Sequence, residues 1–154
     1  ANARSLLFIG LGASGIVARD AQQKFPLFGT PCVAETDAHQ MLMAASMSEP
    51  GTLVMAISHM ATSAPVVAAA EAARRQGAKV IALVGRAGPL TAHADHVLMV
   101  DALENTDAFT PAVSRIGALV MIDILATAVA LGREPKHLAR LTAMKQTLAE
   151  ARRK

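Results

Sequence analysis

The feature that most constrains this chain is a repeated alternation between short, near-continuous apolar runs and stretches with helical spacing. The apolar runs stand at 6–11, 32–34, 53–57, 80–84 and 97–100. Strands of that composition belong in a parallel sheet covered by helices on both faces. Helical stretches lie between them at 14–25, 38–47 and 65–76, with a short one near Leu90. Gly77 after Arg74 and Arg75 reads as a helix stop, and Pro65 suits a first helical turn. Two longer helices close the chain. One starts at Thr110 and Pro111 and stops at Gly132; the other begins at Pro135 and repeats Leu138, Leu141, Met144 and Leu148. The expected fold is α/β, a three-layer α/β/α sandwich around a five-stranded parallel sheet with right-handed crossovers. Residues 1–154 read as a single domain, without repeats or linkers.

Composition removes several classes of function. At 53% hydrophobic and mean hydropathy +0.36, the chain is not disordered. The single cysteine, Cys32, excludes a disulfide scaffold and fits the reducing cytoplasm; in a strand it reads as a small apolar residue. The histidines at 39, 59, 93, 96 and 137 are too scattered for a structural zinc cluster, so neither metal nor cofactor is expected. Trp and Tyr are absent, which removes aromatic stacking on nucleic-acid bases. No apolar run reaches the roughly 18 residues of a membrane span, since Arg4, Arg19, Asp20 and Lys24 interrupt the first third, and no membrane association is expected. Residues 133–154 carry seven basic and two acidic groups, which reads as a solvated outer helix face with His137 exposed.

In a doubly wound sheet, ligands sit beyond the carboxyl ends of the strands. Two loops there carry chemistry. Gly10-Leu11-Gly12-Ala13-Ser14-Gly15 is a G-x-G-x-x-G between strand and helix, and Glu35 falls about 20 residues beyond it. Gly12 lets the backbone approach a ligand, and Ser14 adds a hydroxyl to a helix N-terminus that attracts anions. The same residues also make a tight turn in which Ser14 caps its own helix. Alone, the motif does not choose between a pyrophosphate and a sugar phosphate. Ser58-His59-Met60-Ala61-Thr62-Ser63 is a second hydroxyl-rich turn before a helix. Two such turns side by side favour one small phosphate, because a dinucleotide site needs only one. Helix capping is the alternative for Ser58 and Ser63, and a solvent-facing loop position is the alternative for His59.

Around these turns the chain resembles the SIS (sugar isomerase) domain, in particular the C-terminal sensor of RpiR-family, HexR-like transcription regulators. The resemblance is carried by Ile9 to Gly15, by Asp37-Ala38-His39, by Ala56-Ile57-Ser58, and by Gly77 to Ala82. Its most specific part is Glu104-Asn105-Thr106-Asp107 with Thr110-Pro111, Ser114-Arg115-Ile116 and Ile122 to Thr127. The resemblance implies a flavodoxin-like sandwich that dimerises and binds a phosphorylated sugar or sugar acid, such as 2-keto-3-deoxy-6-phosphogluconate. It also implies operator DNA binding through an N-terminal helix-turn-helix domain that this chain does not contain. Carried over by position, Ser14 and Ser58 bind the phosphate, Ser63 keeps a hydroxyl where the family has Thr, and His39 contacts the sugar. Asp37 and Arg115 are weaker candidates, the first as a turn former, the second at the dimer contact or on a carboxylate.

One departure stands out. The family pattern Ser-x-Ser/Thr-Gly-x-Thr has Met60 for its middle hydroxyl and Ala61 for its glycine. A lost hydrogen bond to a charged group costs about 1.5–3 kcal/mol, and Ala at positive φ costs on the order of 1 kcal/mol. Weakened or altered phosphate binding is expected, with His59 and Thr62 as partial compensation. Three other functions are kept in view. A sugar-phosphate isomerase would draw its acid and base from Glu35, Glu104 and His39. Some relatives are fused behind a glucokinase, and a nicotinamide-binding Rossmann domain shares the first motif.

Overall fold

Five parallel strands, β1 (Ser5–Ile9), β2 (Cys32–Glu35), β3 (Thr52–Ile57), β4 (Lys79–Val84) and β5 (His96–Met99), form one sheet in the order β2-β1-β3-β4-β5. The structure is a computed structural model that describes residues 3–102, 104, 111–133 and 135–153. Between and after the strands run α1 (Ala13–Lys24), α2 (Ala38–Ser46), α3 (Ala64–Arg75), α4 (Val113–Leu131) and α5 (Pro135–Ala151). The expected α/β/α sandwich is therefore observed.

The layers follow from the two-residue period of a strand. Leu7, Ile9, Val54, Ala56, Val80 and Ala82 point to one face, where they meet Met41 and Ala45 of α2 and Val66, Ala69 and Ala73 of α3. Phe8, Met55, Ile57 and Leu83 point to the other, against Val17, Ala18 and Ala21 of α1 and Ile122 of α4. Both faces of the central strands β1, β3 and β4 are covered, so both must be apolar, and this is why their runs show no alternation. The runs at 32–34 and 97–100 form edge strands instead, with Val33, Val97 and Met99 exposed.

Several boundaries move for local reasons. β1 stops at Ile9 rather than Leu11, because Gly10 already begins the turn into α1. The first helix gives way to a 3₁₀ turn at Phe25–Phe28, where Pro26 breaks the ladder and Gly29 closes it at φ 76°. Phe28 meets Phe25 edge-on, their ring centres 5.7 Å apart. His137, expected to be exposed, is half-buried instead, its ring 5.8 Å from that of Phe28. The helix start expected at Thr110 lies outside the described residues.

Cys32 donates its thiol to the Thr30 carbonyl at 3.0 Å, and burial pushes its pKa up to about 11. It is held protonated, which suits an apolar role and not a nucleophile.

α4 is long and apolar enough to cross a membrane by length and composition, with mean hydropathy 1.8. The expectation that no apolar stretch reaches that length, argued from charges in the first third of the chain, is corrected here: this helix reaches it with only Arg115 and Asp123 within it. One side of α4 packs on α1 and the sheet, where Lys24 pairs with Asp20 and Asp123. Val113, Ile116, Val120 and Ile124 lie on a different stripe and are all more than half exposed.

Candidate functional site

The strand order reverses between β1 and β3, so the turns leaving those two strands stand side by side at the switch point. In the first turn the three glycines do different work. A Cβ on Gly10 would lie 2.8 Å from the Ser14 carbonyl oxygen. One on Gly15 would lie 3.0 Å from the Gly10 carbonyl oxygen and 3.1 Å from Thr36. Gly12 has open space around it, but its φ of 55° and ψ of −124° suit only glycine. Gly12, and not Ser14, occupies the N-cap position of α1. Ser14 lies inside the helix, its N–H donating to the Leu11 carbonyl at 3.0 Å, and its side chain caps nothing. The self-capping alternative for Ser14 is thereby removed.

The second turn begins at Ser58, which is buried at the end of β3, and closes when the Ala61 N–H donates to the Ser58 carbonyl at 3.0 Å. Ala61 is fully buried at φ 56°, the left-handed conformation the sequence departure implied. That conformation costs a non-glycine residue roughly 1–2 kcal/mol and persists because the next loop holds it. The Leu90 N–H donates to the Ala61 carbonyl at 3.0 Å, and the Gly85 N–H donates to the His59 carbonyl at 2.8 Å. Ser63 stands at the N-cap of α3 without a side-chain cap bond, so its hydroxyl is not spent on the helix.

Ser14, Ser58, His59, Met60, Thr62 and Ser63 line one open cleft. None of these four hydroxyls is hydrogen-bonded within the protein among the described residues. The cleft lies at the starts of α1 and α3, neither of which has an acidic residue in its first turn. Both positive helix ends are thus uncompensated by side chains. Ser14, His59 and Pro111 also border a second, narrow pocket, walled by Val17, Ile57, Leu83 and Val100, with Arg115 at its α4 side.

The other candidates divide. His39 is exposed in the first turn of α2 and lines neither cleft. Asp37 accepts from the His39 and Gln40 N–H groups at 2.9 and 3.0 Å, so it caps that helix. Glu35 also lines neither cleft.

Glu104 caps α4. Its carboxylate accepts from the N–H groups of Ala112 (2.6 Å), Val113 (3.0 Å) and Ser114 (3.0 Å), and from the Ser114 hydroxyl. The Ser114 hydroxyl first, then these amides, hold its pKa down to about 2. A carboxylate so fixed is a poor proton donor or acceptor at neutral pH. Its folded pKa lies below its ordinary 4.5, so its stabilisation is full above that value and fades as pH falls toward 2. Glu104→Ala is expected to lower the thermal midpoint at pH 7, with the gap to wild type closing between pH 4.5 and 2.5. A gap that stays constant across that range in calorimetry would remove Glu104 as the charged cap.

A family model described as the SIS domain matches residues 1–128. The chain belongs to the SIS domain family. Among curated relatives, this SIS domain is 37% identical over 150 residues to the HTH-type transcriptional regulator HexR of Escherichia coli (strain K12). That match covers 97% of this chain and 52% of the regulator, so the SIS domain here spans about half the length of that relative. It is also 39% identical over 132 residues to the bifunctional protein glk of Burkholderia thailandensis, covering 86% of this chain and 21% of that protein. Among solved structures, it superposes on the NanR protein of Vibrio vulnificus, described as complexed with ManNAc-6P. The TM-score is 0.86 at 24% identity, over 97% of this chain and 57% of that one.

Sequence reasoning missed one side chain at this site. Arg86, in the loop after β4, donates to the sulfur of Met60 on the cleft wall. Arg86 follows closely on β4, but nothing in the sequence signals that it reaches the second turn.

Proposed function

We propose that this SIS domain senses a phosphorylated sugar or sugar acid on behalf of a transcription regulator. One observation carries the reading: two turns from neighbouring strands present unengaged hydroxyls and two positive helix ends to a single cleft. Ser14, Ser58 and Ser63 hold the phosphate, while His59, Thr62 and the backbone at Gly12 complete its surroundings. Arg115 faces the apolar pocket and accepts the far end of the ligand. The identity with HexR and the fold shared with NanR both support a regulator's sensor domain. A ligand resembling 2-keto-3-deoxy-6-phosphogluconate suits this arrangement, its phosphate taken by the hydroxyl turns and its carboxylate by Arg115.

The domain works as a homodimer in the cytoplasm, paired through the exposed stripe of α4. Ligand binding shifts the balance between subunit arrangements, and operator DNA is read through a separate helix-turn-helix domain. No turnover is part of this reading: of the groups an isomerase could use, Glu104 is committed to capping α4, and Glu35 and His39 line neither cleft. The likeness to the bifunctional protein glk favours a second arrangement, in which the same sensor is joined to a sugar kinase.

A thermal-shift panel of phosphorylated sugars and sugar acids, with NAD, NADP and inorganic phosphate as controls, tests the reading. A ligand at a hundred times its Kd adds about 2.7 kcal/mol, or roughly 5–11 °C for a domain of this size. That shift is expected from a phosphorylated sugar acid and is expected to vanish in Ser14→Ala and Ser58→Ala. A panel in which no phosphorylated compound moves the midpoint would overturn the proposal.

A further inference from the structure

Met60 places a neutral thioether among the hydroxyls of the cleft wall, and the Arg86 guanidinium lies against that sulfur. A thioether is a weak acceptor for a planar cation with five donors. No carboxylate lies within ion-pair distance of Arg86 among the described residues, and its side chain is exposed. The cation is nevertheless delivered by fixed backbone. The Gly85 and Leu90 amides donate to the His59 and Ala61 carbonyls at 2.8 and 3.0 Å, so the loop carrying Arg86 is laced to the turn carrying Met60. The lacing is tight, since a Cβ on Gly85 would lie 2.1 Å from the His59 ring.

We propose that Arg86 is a ligand-binding residue of this cleft: its guanidinium moves from the Met60 sulfur onto two phosphoryl oxygens of the bound ligand. The inference rests on the sugar-phosphate reading above and adds a cationic contact that the hydroxyl turns lack. Arg matches a phosphoryl group with two parallel N–H···O bonds, and charge assistance makes each stronger than a neutral one. Met60 serves as the resting place for the guanidinium, its flexible side chain able to withdraw as the ligand enters.

Calorimetric titration with 2-keto-3-deoxy-6-phosphogluconate, and with its unphosphorylated counterpart, tests this in wild type, Arg86→Gln and Ser58→Ala. Arg86→Gln is expected to weaken binding of the phosphorylated compound tenfold or more while leaving the thermal midpoint of the free protein unchanged. The wild-type affinity is also expected to fall more steeply with added KCl than that of Arg86→Gln, because one charge contact is absent from the variant. Wild type and Arg86→Gln binding equally, with Ser58→Ala impaired, overturns the role of Arg86 and leaves the sensor reading standing. Absence of binding by the wild type overturns both.

Discussion

Gly10→Ala is expected to cost 3 kcal/mol or more, lowering the thermal midpoint by roughly 6–12 °C for a domain of this size. The added Cβ would sit 2.8 Å from the Ser14 carbonyl oxygen and 2.9 Å from its carbonyl carbon. Both are backbone atoms of the first turn of α1, so no rotamer change relieves the contact. Only a retreat of α1 from the end of β1 would, and that loosens Val17, Ala18 and Ala21 from the sheet. Gly12→Ala provides the contrast. No atom lies within 4 Å of its would-be Cβ, so its cost is conformational only, about 1–3 kcal/mol for the φ and ψ it must keep. Denaturant titration of the two variants separates the effects. Gly10→Ala no more destabilised than Gly12→Ala would show that the turn relaxes freely, contrary to the packing seen here.

The second large effect is expected on α4. Val120→Glu and Ile124→Glu should each convert the proposed dimer into a monomer in sedimentation velocity, raising the dissociation constant a hundredfold or more. Val120 is 51% and Ile124 is 55% exposed in the single chain, so roughly half of each side chain remains to be buried by pairing. Completing that burial is worth about 1 kcal/mol per side chain, and a two-fold interface counts each position twice. Placing two carboxylates where apolar groups meet adds desolvation that has no partner to offset it. Those two sources together exceed the 2.7 kcal/mol that a hundredfold change requires. The fold itself should survive, because both residues face away from the cluster that contains Ile122. A dimeric wild type with unchanged sedimentation in both variants would move pairing to another surface, and a monomeric wild type would overturn pairing itself.

The fold was legible because its signal is global. Buried strands such as 53–57 and 80–84 must be apolar on both faces, and such runs alternating with helical stretches point to a parallel sheet between helices. The site was legible in part. Ser14 and Ser58 share the cleft as their positions at strand ends imply, and Ala61 takes the strained conformation its place in the turn demanded. What escaped depends on contacts between distant loops. Nothing near Glu104 in the sequence reveals that it caps a helix starting at Val113, since the cap is made by a chain segment folding back. Arg86 is separated from Met60 by a helix and a strand, and only the pairing of β3 with β4 brings them together. His39 shows the reverse: its place beside Asp37 is local and clear, yet α2 presents it to solvent.

The pairing of β1 with β3 has a consequence for how the chain matures. Ser5 stands opposite Thr52, with their hydroxyls 3.1 Å apart, so the sheet's central seam joins segments 47 residues distant and skips the strand between. The two halves of the cleft are carried on opposite sides of that seam. A nascent chain released only as far as α2 holds half a site, and no partially folded form with β3 detached can retain a ligand that needs both halves. Any compound that binds there must therefore slow amide exchange in β1 and β3 together, as one unit, and not in the turns alone.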